Sequence, residues 1–144
     1  LFKIIICGRL KEKAFRYLET FRHPNVIFAG EVPDIDPYFL QADVFLNPVL
    51  FNSGVQTKIM DALRLHCNVV AFQESVDDAM KKLVPEKLFT VANSDWQAFA
   101  GSTWKACEIK AKTPASFFSY YDWNNLAEMV WRRLKLFQNP ITAR

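Results

Sequence analysis

No unbroken apolar run in the 144 residues is longer than a few positions, so no stretch can span a bilayer as a helix. Charge of one sign is equally scarce. Eighteen basic and fifteen acidic side chains are spread along the chain and leave a net charge of +3, too little to hold DNA by counterion release. No basic-aromatic signature supports RNA, so nucleic acid is not an expected partner. Cysteine is limited to Cys7, Cys67 and Cys107, far apart and odd in number. Without CxxC spacing or an even framework they make neither a zinc or redox motif nor a secreted disulfide scaffold. The expectation is three free thiols in a reducing cytoplasm, with Cys7 and Cys67 packed as small hydrophobes. His23 and His66 have no Cys, Asp or Glu at ligand spacing, so no metal site is expected. The start at Leu1-Phe2-Lys3 has no basic n-region and no cleavage site, and is read as a domain trimmed from a longer protein.

What is present is apolar and aromatic. Half of the chain is hydrophobic (51%) and 23% charged, with thirteen Phe and four Trp, which supports a globular domain with a real core. Short apolar runs alternate with helical patterns. Strands are expected at Phe2–Cys7, Val26–Ala29, Val44–Leu46, Asn68–Phe72 and Leu88–Val91. A helix is expected over Lys11–Arg22, with Ala14, Phe15, Leu18 and Phe21 on one face. Asp34–Gln41 reads as a short helix or turn, with Asp34 and Asp36 as helix-start residues. A helix opening near Val55 carries Ile59, Ala62 and Leu63. Another runs over Trp96–Lys110, capped by Ser94 or Asp95. The last spans Trp123–Phe137, with Leu126, Val130, Leu134 and Phe137 at helical spacing.

Strands of four to six residues joined by helical crossovers imply a Rossmann-like α/β domain. The expected architecture is one parallel sheet of about five strands with helices on both faces, over residues 1–144. Ligands of such sheets bind beyond the carboxyl ends of the strands, which directs attention to the loops starting at Gly8, Gly30, Asn47 and Phe72.

The loop from Asn47 to Thr57 is the most informative. A strand ends, a polar Gly-containing turn follows, and a helix begins. The first amides of that helix have no intrahelical partner and carry the positive end of its dipole. They make an anion site, Gly54 allows close backbone approach, Ser53 and Thr57 add hydroxyls, and Lys58 adds charge. The alternative is a capped helix in which Ser53 merely satisfies the backbone. Arg9, beside Gly8, could meet a phosphate or remain a solvated loop arginine. Arg132, Arg133 and Lys135 beside Trp131 could touch an anionic membrane, but a solvated helical face explains them more simply, so peripheral membrane contact is unsupported.

The ordered series Asn25-Val26-Ile27-Phe28-Ala29-Gly30-Glu31-Val32, Tyr38, Ala42-Asp43-Val44-Phe45-Leu46-Asn47-Pro48, Ser53-Gly54-Val55-Gln56-Thr57-Lys58-Ile59-Met60-Asp61-Ala62-Leu63 and Val69-Val70-Ala71 resembles group 1 glycosyltransferases. The likeness is to the C-terminal, donor-binding domain of these mostly retaining family 4-like enzymes of GT-B architecture. It continues through Phe89-Thr90-Val91 and Tyr120-Tyr121-Asp122-Trp123. The resemblance implies binding of a nucleoside-diphosphate sugar for transfer to a sugar or lipid-linked acceptor, at the inner, cytoplasmic side of a membrane or in the cytoplasm. It implies that Ser53, Gly54, Val55, Gln56, Thr57 and Lys58 hold the diphosphate and that Asp61 accepts hydrogen bonds from the ribose. The base side falls to Gly8, Arg9, Gly30 and the backbone near Val32.

A helix N-terminus that stabilises the departing diphosphate leaves no need for a divalent metal or another cofactor. The acceptor and any catalytic base would belong to an N-terminal domain absent from this chain, which alone should not turn over. The chain departs from the family pattern in several places. Ser53 stands at the first of two acidic positions. Arg64, His66 and Asn68 stand where Ala, Gly and Pro are usual, and the first strand-helix unit is lacking. Asp61 has an alternative role as an i,i+3 surface partner of Lys58. The rival readings are a degenerate, non-catalytic Rossmann-like interaction module and the donor subunit of a split transferase.

Overall fold

The computed structural model describes residues 2–9, 21–50 and 56–138. It divides into two compact units, Leu1–Tyr38 and Phe39–Arg144. The fold is α/β, and every strand pairing is parallel, as the alternation of short apolar runs and helices implies.

The first unit is built on β1 (Ile4–Cys7) and β2 (Val26–Gly30), paired from Ile4–Val26 to Cys7–Gly30 with an irregularity between Ile6 and Cys7. Both strands run into glycines with positive φ, Gly8 at 137° and Gly30 at 71°, conformations that side chains with a Cβ seldom adopt. The Gly8 amide donates to the Gly30 carbonyl at 2.7 Å, closing the carboxyl end of the ladder. Asp34 accepts from the Asp36 amide at 3.0 Å and opens the short helix α1 (Asp36–Gln41), the helix-start role expected of it. Most of the helix expected at Lys11–Arg22 lies outside the described residues; 21–23 are non-helical.

The second unit is a three-stranded ladder of β3 (Val44–Asn47), β4 (Asn68–Phe72) and β5 (Leu88–Val91), in that order, with β4 central. All five β4 residues are buried, the mark of a parallel strand covered on both faces. Alternation sends Val70 and Phe72 to one face, where they join Phe99 and Ala106 of the helix α4 (Trp96–Glu108) and Val91. Val69 and Ala71 point the other way. There α2 (Thr57–Arg64), packed on β3 and β4, supplies the buried Ile59, Ala62 and Leu63. α3 (Asp78–Leu83) is capped by Asp77, which accepts from the Met80 amide at 2.7 Å. Asp95 caps α4 by accepting from the Ala98 amide at 2.9 Å. Ser94, the other candidate cap, instead takes a positive φ of 64°.

Two helices follow. α5 (Ala115–Tyr120), which the sequence reading missed, seats Phe117 in the core. α6 (Trp123–Gln138) contacts α5 and leaves Trp123, Val130, Trp131 and Leu134 exposed. On it Arg132 pairs with Glu128 at 3.1 Å and Lys135 lies over the Trp131 ring at 5.4 Å. Among the described residues no helix is long and apolar enough to cross a membrane.

Candidate functional site

The carboxyl edge of the three-stranded ladder is where β3, β4 and β5 release their chains into loops, and where α2 begins. Its assembly starts from two asparagines. Asn47, the last residue of β3, is buried, and its Nδ2 donates to the Ser75 hydroxyl at 3.2 Å. Ser75 sits in the 3-10 turn Gln73–Ser75 that leaves β4, and donates in turn to the Phe72 carbonyl at 2.7 Å. Asn93, just past β5, donates from Nδ2 to the Leu50 carbonyl at 3.3 Å, and its Oδ1 faces the Glu74 amide at 3.5 Å. The exits of all three strands are thereby tied together.

The helix after this edge starts later than the sequence suggests. α2 begins at Thr57 rather than near Val55, with Gln56 as N-cap. The Gln56 side chain makes no capping hydrogen bond, and its carbonyl takes the Ile59 and Met60 amides at 3.0 and 3.3 Å. The amides at the mouth of α2 are therefore those of Thr57 and Lys58. The first turn holds no acidic residue to complement the dipole, and Lys58 adds a like charge there. Thr57 and Lys58 are exposed, so two donors and an ammonium face solvent at the positive end of the helix. An anion is what this combination suits. Ser53, Gly54 and Val55, three of the residues assigned to the diphosphate, lie outside the described residues.

Asp61 sits one turn further along α2, about half exposed. Its carboxylate lies 3.9 Å from Arg64 Nε, an i,i+3 pair. The expected alternative partner was Lys58; the structure gives Arg64, a residue noted only as a departure from the family pattern.

In the first unit, Gly8, Arg9, Gly30, Glu31 and Val32 gather at the carboxyl ends of β1 and β2. Arg9 is a solvated loop arginine, its side chain 78% exposed, and it is paired. Its Nε and Nη2 donate to both Glu31 oxygens at 3.1 and 3.0 Å. A phosphate reaching Arg9 would have to compete with that two-point pair.

The opposite, amino edge of β4 explains residues that looked like signs of decay. His66 lies just past α2 with φ of 62°, the left-handed conformation usually given to glycine. The His66 amide donates to Leu63 and the Cys67 amide to Ala62, at 3.0 and 2.9 Å, which is a complete Schellman closure of the helix. His66 Nδ1 also accepts the Thr113 amide at 3.2 Å, and its ring meets Phe118 edge-on at 5.9 Å. Asn68 shares its amide protons among the carbonyls of Asp43, Ala106 and Ile109, at 3.2, 2.8 and 2.9 Å. Sequence reasoning missed Lys87 altogether. It is buried, and its ammonium donates to the His66 and Ala111 carbonyls, both at 2.7 Å. Burial draws its pKa below the ordinary lysine value, against an upward pull from Cys67. Cys67, desolvated in the same edge, has its thiol pushed up to about 11.

Among the described residues, no group of three His, Cys, Asp or Glu side chains could hold a metal ion. The family profile described as "Glycosyl transferases group 1" matches residues 1–108, from β1 to the end of α4. The chain belongs to the group 1 glycosyltransferases. No match was found among curated proteins. The family match covers both strand ladders and α2, while α5 and α6 lie beyond it. In this group 1 glycosyltransferase chain, His66 and Asn68 are built into the edge that closes α2 and anchors β4, and their unusual identities are explained by local structure.

Proposed function

We propose that this chain is the donor-binding half of a two-domain glycosyltransferase, holding a nucleoside-diphosphate sugar for transfer to a sugar or lipid-linked acceptor. The observation that carries the reading is the mouth of α2. Helix amides at the carboxyl edge of a parallel ladder stand next to Thr57 and Lys58 with no acidic residue in the turn. Within this reading, Ser53, Gly54, Val55, Gln56, Thr57 and Lys58 contact the diphosphate and Asp61 the ribose. The helix dipole and amides stabilise the negative charge that builds on the departing diphosphate, a role often given to a divalent cation. The acceptor and any catalytic base come from a separate N-terminal domain, so the isolated chain binds donor without turning it over. Cytoplasmic residence, alone or against a membrane, fits a chain that uses nucleotide sugars.

Titration with UDP, GDP, ADP and inorganic pyrophosphate tests this. Asp61→Ala should weaken the ribonucleotide that binds by about tenfold or more, the value of one charge-assisted hydrogen bond, and leave pyrophosphate nearly untouched. Gly54→Val should weaken every diphosphate alike. Intact binding in both folded variants would remove the ligand from this edge.

The Asp61–Arg64 pair favours a second reading, a non-catalytic interaction module, because it engages the carboxylate assigned to ribose. That reading expects no nucleotide binding at all from the parent chain.

A further inference from the structure

The family match ends at residue 108, and α5 follows only after a strap, 109–114, that has no regular secondary structure. The strap lies along the amino edge of β4 and is held there by side chains. Asn68 Nδ2 donates to the Ile109 carbonyl at 2.9 Å, and Lys87 Nζ to the Ala111 carbonyl at 2.7 Å. Thr113, itself buried, donates from its hydroxyl to the Leu63 carbonyl at 2.6 Å and from its amide to His66 Nδ1 at 3.2 Å. Phe118 of α5 meets the same imidazole edge-on. Three of these ties come from an amide, an ammonium and a hydroxyl, which keep their protons between neutral and mildly acidic pH. The fourth does not stay constant. An imidazole accepts at Nδ1 only while that nitrogen is bare, and histidine gains its second proton in this range. His66 is an exposed residue, so solvent protons reach it.

The surroundings of the ring oppose a proton. Desolvation first, then Lys112 on the strap and Lys87 before β5, draw its pKa below 6.5. On α2 the nearest charge along the chain is Arg64, another cation, and Phe118 on α5 brings none. The adjacent Cys67 thiol, pushed up to about 11, stays neutral. A protonated ring would turn a donor toward the buried Thr113 amide and add a positive charge beside two lysines. We infer that His66 is an acid-sensitive latch on the strap: unprotonated, it holds 109–114 and α5 against the end of α2, and protonated, it lets them open ahead of the rest of the unit. This holds whether or not the chain binds a nucleotide sugar.

Hydrogen exchange of the full chain, followed amide by amide from pH 7.5 to 5 and corrected for the intrinsic effect of pH, tests the latch. At pH 5 the Thr113 and Phe117 amides should exchange well ahead of those of β4. Their protection should fall by about tenfold across the range, the effect of leaving one buried donor without its acceptor. The fall starts at about pH 6.5, where the open strap leaves His66 free to take a proton, and levels off at the lowered value of the closed state. His66→Gln offers a neutral acceptor that does not titrate, and should abolish the fall. Lys112→Gln removes a like charge, raises the value of the closed state toward 6.5, and should shrink the fall. Protection that is flat in the parent, or that falls equally in His66→Gln, overturns the inference. So does exchange of Thr113 and Phe117 at the β4 rate, which would mean that the unit opens only as a whole.

Discussion

The Nζ of Lys87 lies 2.7 Å from the carbonyl oxygen of His66, placing a buried ammonium against the end of α2. The same ammonium reaches the Ala111 carbonyl, so one side chain gathers the α2 terminus and the segment leading to α5. A cation at a helix C-terminus is favoured by the dipole, and two carbonyl acceptors offset part of the cost of burying the charge.

Lys87→Met keeps the aliphatic stem and removes the donor. It removes a charged donor from two carbonyls on residues that are themselves exposed, so the expected loss of stability is about 1.5–3 kcal/mol, the range of a hydrogen bond to a charged group. Urea denaturation measures it directly. A change under about 0.5 kcal/mol, the range of an ordinary surface substitution, would mean that the ammonium is not a structural tie.

His66 combines a backbone cost with side-chain gains, and two substitutions separate them. His66→Gly relieves a left-handed conformation worth about 1 kcal/mol but loses the Thr113 hydrogen bond of similar size, so it should stay within about 1 kcal/mol of the parent. His66→Ala keeps the backbone cost and loses the bond, so it should be less stable than the glycine variant by about 1 kcal/mol. Denaturation midpoints that place alanine above glycine would contradict the account.

Acid should act through the same imidazole. Burial first, then Lys112 and Lys87, hold its pKa below the ordinary 6.5. The native ring resists a proton that the unfolded chain accepts, and Nδ1 must stay unprotonated to accept the Thr113 amide. This contribution is therefore complete above pH 6.5, falls as pH drops from there toward the lowered native value, and levels off below it. The denaturation midpoint of the parent, minus that of His66→Gln, should fall across that window. A difference that is flat from pH 7.5 to 5 would show that the ring does not titrate differently on folding.

The strands were legible because each is a short apolar run that ends at a residue unsuited to continuing it, such as Gly8, Gly30 or Pro48. Parallel pairing followed from the helical patterns between them. α5 was missed because Tyr120 and Tyr121 stood out only as part of the aromatic run Tyr120-Tyr121-Asp122-Trp123, and a six-residue helix offers too few turns for periodicity to show. At the candidate site, sequence singled out Asp61 and Lys58 but gave the carboxylate the wrong local partner, since i,i+3 spacing is met in both directions and only rotamers choose Arg64. Lys87 follows Glu86, and an adjacent pair of charges reads as solvent-exposed; its burial depends on α2 and the 109–113 segment converging on it from elsewhere in the chain. His66 and Asn68 looked like eroded positions for the same reason. Their partners, Thr113, Asp43, Ala106 and Ile109, are invisible at the level of neighbours in sequence.

The central place of β4 has a consequence for how the second unit comes apart. Both edges of the strand are occupied and all five of its residues are covered, so no small excursion can bring its backbone to water. Deuterium can reach these amides only when β3 and β5 separate from β4 and the helices lift away. Their exchange rate is then a clock for the cooperative opening of the whole unit, while loops and helix ends report briefer, more local events.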